Sequence, residues 1–215
     1  SMWSPVRRCN GTPLTRFSNS SPSVMVLLAI YWIIYLALHS LLASNACKGW
    51  VSQHIGLKGS GYRFAYSFIS VVGLIALGWV IRDMPQKWLF DPGNFIYAGY
   101  FLIVAGIVIV FFSFRYLSGM EFIGLRKFSS EDKLVTHGIH SKVRHPIYTG
   151  TIAILLGYFI YQPSDVVMVL VVLILIYLPI GIYFEERKLI QKFGEAYLNY
   201  KKEVPSILPG LKSLL

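Results

Sequence analysis

Five apolar runs of near-bilayer length constrain this chain more than anything else in it. They occupy about 23–44, 62–81, 94–114, 147–161 and 166–184. Most approach the roughly 20 residues that a helix needs to cross the hydrocarbon of a membrane. The fourth is shorter, and its polar start at Tyr148 and Thr149 is expected to continue the helix toward the headgroups. Composition agrees. The chain is 55% apolar and 14% charged, where a soluble domain would be about one quarter charged. The expected fold is therefore all-α: a polytopic integral membrane protein of about five transmembrane helices, with a C-terminal amphipathic helix in the cytoplasm. Residues 1–22 form a polar N-terminal segment, and 23–215 a single membrane domain. The first 22 residues lack an apolar stretch, so no cleavable signal peptide is expected. Ser1 before Met2 reads as a residue left by a tag.

The net charge of +10 is distributed by topology, which argues against nucleic acid as a partner. With five spans, the first loop, the third loop and the C-terminal segment share one side. That side carries fifteen Lys and Arg against five on the other. The positive-inside rule places the fifteen in the cytoplasm and the N-terminus outside, as in a bacterial inner membrane. Cys9 and Cys47 then lie on opposite sides and are not expected to pair. Neither belongs to a metal-spacing motif.

Two polar motifs bracket the last apolar hairpin, whose runs are joined by Gln162-Pro163-Ser164-Asp165. The first is Lys142-Val143-Arg144-His145-Pro146-Ile147-Tyr148-Thr149-Gly150. The second is Phe184-Glu185-Glu186-Arg187, running on through Phe193-Gly194-Glu195-Ala196-Tyr197 to Val204-Pro205 and Leu208-Pro209. A hairpin brings its ends together, so Arg-His and Glu-Glu should meet at one membrane face. Opposite charges gathered at a membrane edge mark a polar ligand site. Pro146 suits the first turn of a helix, where its missing N–H is harmless.

The segment after the last span has helical periodicity in Leu189, Ile190, Phe193, Ala196, Tyr197 and Tyr200, which is an amphipathic helix. It is expected to extend the last span without a break and to stop at Pro205. Gly194 within it suggests a close approach by another helix or a ligand. Periodicity leaves two placements open: lying on lipid, or packed as a lid over Arg144 and His145.

This ordered set of residues resembles the membrane methyltransferases that include isoprenylcysteine carboxyl methyltransferase and the phospholipid methyltransferases. The resemblance covers about 133–209: Leu134-Val135-Thr136-x-Gly138, Val143-Arg144-His145-Pro146-x-Tyr148, Glu185-Glu186, Phe193-Gly194-Glu195-x-Tyr197-x-x-Tyr200, and the Val204-Pro205 and Leu208-Pro209 endings. His140 departs from the Tyr often found there. In the N-terminal half, His39-Ser40-Leu41-Leu42-Ala43-Ser44, Lys48-x-Trp50, Arg63-x-x-Tyr66 and Gly124-Leu125-Arg126 resemble the NnrU, nurim and methanethiol S-methyltransferase group.

The resemblance implies S-adenosylmethionine as methyl donor, with a lipophilic or small thiol or carboxylate acceptor. It implies a donor site from His137, Gly138, Arg144, His145, Pro146, Tyr148, Glu185 and Glu186, with Arg144 and Glu185 as the catalytic pair. Arg144 offers a planar fork for the donor's carboxylate. The glutamates offer acceptors for hydroxyl or ammonium groups, and Glu185 is the favoured one. Each residue also has a plainer reading. Arg144 and Lys142 could be topology charges, and Glu186 a solvated group paired with its neighbours. His39 either bonds a neighbouring helix or contacts substrate. Tyr197 and Tyr200 either pack or cap the pocket. His137, His140 and His145 lack a cysteine to complete a familiar ligand set, so no metal is expected. Two other functions compete: an NADPH enzyme like the sterol reductases, which carry a similar Arg-His-Pro, and a non-catalytic membrane protein in the manner of nurim.

Overall fold

The computed structural model describes residues 22–116 and 134–209. The polar N-terminal segment with Cys9, and the Gly124-Leu125-Arg126 stretch, lie outside the described residues. Among the described residues, seven α-helices follow in order: α1 Pro22–Ala43, α2 Asn45–His54, α3 Gly59–Asp83, α4 Ile96–Tyr116, α5 Pro146–Tyr161, α6 Asp165–Phe193 and α7 Glu195–Glu203. Among the described residues no strand forms beyond an isolated bridge between Trp88 and Ser164.

α1, α3, α4 and α6 are long and apolar enough to cross a membrane, and α5, at 16 residues, is the short fifth. Their bounds match the expected spans, with Pro146 in the first turn of α5. Side chains such as Ile34, Phe68, Phe101 and Phe111 face outward, the arrangement of a bundle solvated by lipid rather than water. Not expected from the sequence is α2. Ser44 ends α1 and caps α2, its hydroxyl oxygen accepting from the Cys47 N–H at 3.1 Å.

α4 and α5 form an antiparallel pair that closes backbone to backbone at two pairs of glycines. Gly99 and Gly106 on α4 meet Gly157 and Gly150 on α5. A Cβ built on Gly106 would sit 2.5 Å from the Gly150 carbonyl oxygen, and one on Gly157 would sit 2.6 Å from that of Gly99. Seven residues is about two helical turns, so each pair of glycines lies on one face. Small residues there let the backbones touch, the usual basis of helix association in lipid. On the other side of the bundle, Leu28 and Trp32 of α1, Leu77 of α3 and Val166 of α6 form the buried cluster.

Polar contacts sort the helix ends onto two faces. At one, Gln86 Oε1 accepts from Gln162 Nε2 at 2.6 Å and from Ser164 Oγ at 2.9 Å, and the Lys87 and Asp165 segments exchange hydrogen bonds. At the other, Lys188 Nζ donates to the Ala43 carbonyl, and the 144–149 segment pairs with 205–207. The second face holds both polar motifs.

The expectation of an unbroken helix after the last span needs correction. α6 runs on past the apolar region to Phe193, then Gly194 turns the chain at φ +55 before α7 begins. The left-handed backbone region is the reason for glycine here. Nothing lies within 4 Å of a Cβ built on it, so close approach is not.

Candidate active site

The first motif enters through a tight turn. Gly138 adopts φ +64 and opens a 3-10 turn, Gly138–Ser141, that leads into Arg144 and His145. Two N–H groups ahead of α5 find partners in the chain's C-terminal segment: Arg144 N donates to the Pro205 carbonyl at 2.8 Å and His145 N to that of Ser206 at 3.0 Å. Thr149 Oγ1 adds a bond to the Ile207 carbonyl at 2.7 Å. The Val204-Pro205 ending thus works as a backbone splint along the motif.

Arg144 and Glu186, 42 positions apart, form the centre. Arg144 Nε and Nη2 donate to Glu186 Oε1 at 3.0 and 2.7 Å, and both side chains are only 9% exposed. Nη1 donates to the Lys201 carbonyl at 3.0 Å and also to that of Val204. Four of the five guanidinium N–H groups are therefore engaged within the protein. Glu186 is further held by Lys201 Nζ at 2.5 Å from Oε2 and by His145 Nε2 at 3.3 Å from Oε1. His145 is wedged between the two glutamates, with Nδ1 3.6 Å from Glu185 Oε2.

The adjacent glutamates are thus placed differently, because successive helical side chains diverge by about 100°. Glu186 points inward and is the buried partner. Glu185, favoured from the sequence, is 46% exposed and lies beside His145 and Tyr148. Tyr148 packs on His145 with ring centroids 5.6 Å apart. His137 is exposed at the start of the turn, and Pro146 is buried.

Of the two placements left open for the C-terminal amphipathic helix, the structure adopts the one over the Arg-His segment. Tyr197 and Tyr200 of α7 are buried at 1% and 7% exposure, and Tyr200 donates to the His140 carbonyl at 2.6 Å. Burial pushes the Tyr200 hydroxyl up to about 12, so it remains a donor. His140, at the departure from the resembling pattern, is itself buried, and burial lowers its imidazole from the ordinary value. Tyr197 and Tyr200 sit on the Arg144 side of the site. His39 is not among them: it lies deeper in the bundle, on α1, facing Tyr66 and Ser70 of α3.

Several participants escaped the sequence reading. Lys201 was one of six C-terminal cations with nothing to single it out. Ser70, Ser40 and Tyr177 lie in apolar runs, where an isolated hydroxyl is the signal to follow.

Comparison with known proteins points the same way as the geometry. The family described as Phospholipid methyltransferase matches residues 95–196, which include Arg144, His145, Glu185 and Glu186. Over that stretch, just under half of its length, the chain is similar to this family of membrane methyltransferases. Methanethiol S-methyltransferase 1 of Bradyrhizobium diazoefficiens is 25% identical over 93% of this chain and 72% of its own length. Methanethiol S-methyltransferase of Crocosphaera subtropica is 29% identical over 84% of this chain and 73% of its own length. Protein-S-isoprenylcysteine O-methyltransferase of Schizosaccharomyces pombe is 27% identical over 81% of this chain and 72% of its own length. No solved structure matches the chain. The methyltransferase relatives favour an enzyme of this family over the reductase-like and non-catalytic alternatives.

Proposed function

We propose that this methyltransferase uses S-adenosylmethionine to methylate a lipophilic or small thiol or carboxylate acceptor, at a site on the cytoplasmic face between α5, α6 and α7. The observation that carries this reading is the Arg144–Glu186–Lys201 knot, which fastens α7 across the mouth of the α5–α6 hairpin.

The residues present suit such a donor. It carries a carboxylate, an ammonium, a ribose and a sulfonium, and so calls for a cation and several acceptors. Glu185 and Lys201, 46% and 43% exposed, are the charged groups of the cluster that reach its surface, Lys201 while bonded to Glu186. When bound, the donor supplies an electrophilic methyl group on a positively charged sulfur. Arg144, with four N–H groups already engaged, acts mainly as the frame that keeps His145 and α7 in place. In this reading the two members of the catalytic pair divide the work: Arg144 holds the site together and Glu185 faces the donor. Direct displacement mainly needs alignment of acceptor, methyl and leaving sulfur, so a rigid frame is a large part of what the protein contributes. The cytoplasmic orientation follows from the fifteen-to-five charge asymmetry.

Purified protein should bind labelled S-adenosylmethionine and not NADPH, and should transfer the label to a thiol or prenylcysteine acceptor in liposomes. Binding of NADPH without S-adenosylmethionine would overturn the reading.

A further inference from the structure

A second polar cluster lies inside the bundle, within the apolar spans. His39 on α1 faces α3, with Nδ1 3.0 Å from Ser70 Oγ and Nε2 3.3 Å from the Tyr66 hydroxyl. Ser70 Oγ itself donates to the Tyr66 carbonyl at 2.9 Å. Tyr35 donates to the Ser70 carbonyl at 2.9 Å, and one residue beyond His39, Ser40 Oγ pairs with the Tyr177 hydroxyl of α6 at 2.8 Å.

These bonds fix the histidine tautomer. A serine hydroxyl has one proton, and Ser70 gives it to the Tyr66 carbonyl. Ser70 Oγ can therefore only accept from His39, so the imidazole proton is on Nδ1. Nε2 is left with its lone pair, met only by the long contact from Tyr66. A neutral imidazole with one nitrogen tied down and the other available is the form of a general base.

The cluster is also continuous with the site above it. Tyr148, packed on His145 at the site, and Tyr177, bonded to Ser40, both come close to Gly181 of α6. A Cβ on Gly181 would be 3.7 Å from the Tyr148 hydroxyl and 4.0 Å from the Tyr177 ring, leaving that stretch of α6 slim. Tyr148 and Tyr177 thus stand between His145 and the His39–Ser40 turn of α1. Plain helix-to-helix bonding explains a buried hydroxyl pair. It does not account for an ionisable ring, its Nε2 lone pair met only by the Tyr66 hydroxyl at 3.3 Å, in a place where ionisable groups are costly.

We propose that His39 is the base that deprotonates a neutral thiol acceptor, which makes a thiol rather than a carboxylate the substrate class of this enzyme. The inference rests on the methyltransferase reading above. A thiol needs such a base, since a typical free thiol ionises near pH ~8.5 and is mostly protonated at neutral pH. A carboxylate acceptor is already ionised and needs none. In the step, the S–H bond breaks, its proton goes to His39 Nε2 and its electron pair stays on sulfur. That pair forms the new S–CH3 bond as the methyl–sulfonium bond breaks, with the second pair returning to the donor's sulfur. The proton stays on His39 Nε2 through the transfer and passes to water as the products leave. Ser70 is a positioning residue, acting through the tautomer it imposes.

The test compares wild type with His39→Gln and Ser70→Ala on two acceptors: an aliphatic thiol, protonated at the assay pH, and an aromatic thiol, ionised at that pH. Donor affinity, read by calorimetry, reports whether each variant is folded. His39→Gln should lose about a hundredfold in kcat/KM with the aliphatic thiol and only a few-fold with the aromatic one, with donor affinity unchanged. Ser70→Ala should show the same acceptor dependence to a smaller degree. Without donor, wild type should bind the aliphatic thiol with the ultraviolet absorbance of a thiolate, and His39→Gln should not. Equal losses on both acceptors, or no loss on either, would overturn the role of His39. Wild-type protein that binds no donor and methylates neither thiol would instead overturn the proposed function itself.

Discussion

Gly106 and Gly150 meet backbone to backbone: a Cβ on either would lie 2.5 to 2.7 Å from the other's carbonyl oxygen. Gly150 sits one turn beyond Pro146, at the same end of α5 as His145 and Tyr148. Gly150→Leu should therefore force α4 and α5 apart, costing about 1–3 kcal/mol or more, and disturb the site with them. Gly78→Ala is the matched control, because nothing lies within 4 Å of its added Cβ. Thermal unfolding in detergent should show a clear drop for the first and little change for the second. Equal midpoints would mean that the seam does not hold the pair together.

The two glutamates should separate stability from binding. Glu186→Ala leaves the Arg144 guanidinium without its carboxylate at 9% exposure, and breaking such a pair costs roughly 3–5 kcal/mol. Glu185→Gln, at an exposed position, should leave unfolding unchanged within about 0.5 kcal/mol while weakening S-adenosylmethionine. Calorimetry and thermal unfolding on both variants suffice. The reverse pattern would exchange their roles.

His140 gives stability a pH dependence. Burial lowers its imidazole, so the unfolded chain binds a proton there more readily than the folded one. Stability contributed by the neutral ring is therefore complete well above the ordinary value of about 6.5 and is lost as pH falls below it. The unfolding midpoint should decline from pH 7 toward pH 5, and His140→Tyr should flatten that decline. A slope unchanged in the variant would assign it to another group.

Topology can be read directly. Cys9 and an introduced Ser213→Cys should label from opposite sides of sealed vesicles, with position 9 outside. Labelling of both from one side is incompatible with five crossings.

Much of this architecture is legible in the sequence because lipid makes few demands and makes them loudly. Each span is a continuous apolar run, and Pro146 marks the start of α5. The meeting of Arg144 with the glutamates followed from hairpin closure alone. Which glutamate turns inward did not, because the answer depends on the rotation of α6 about its axis, and two neighbours in sequence carry no record of it. The break at Gly194 was missed for a related reason: an apolar stripe continues across it, and a glycine's φ is invisible in a periodicity. The His39 cluster was only half visible. Histidine stands out in an apolar run, but Ser70 and Tyr177 acquire meaning only when α1, α3 and α6 are side by side.

The splint formed by Pro205, Ser206 and Ile207 against Arg144, His145 and Thr149 has a consequence for biosynthesis. Thr149 waits 58 positions, and the Arg144 side chain 60, for the carbonyls that satisfy them. A chain terminated before Pro205 still possesses every apolar helix and can enter the membrane, yet its most polar motif is left without its backbone partners. Completion of the site thus falls to a few residues translated after the last span.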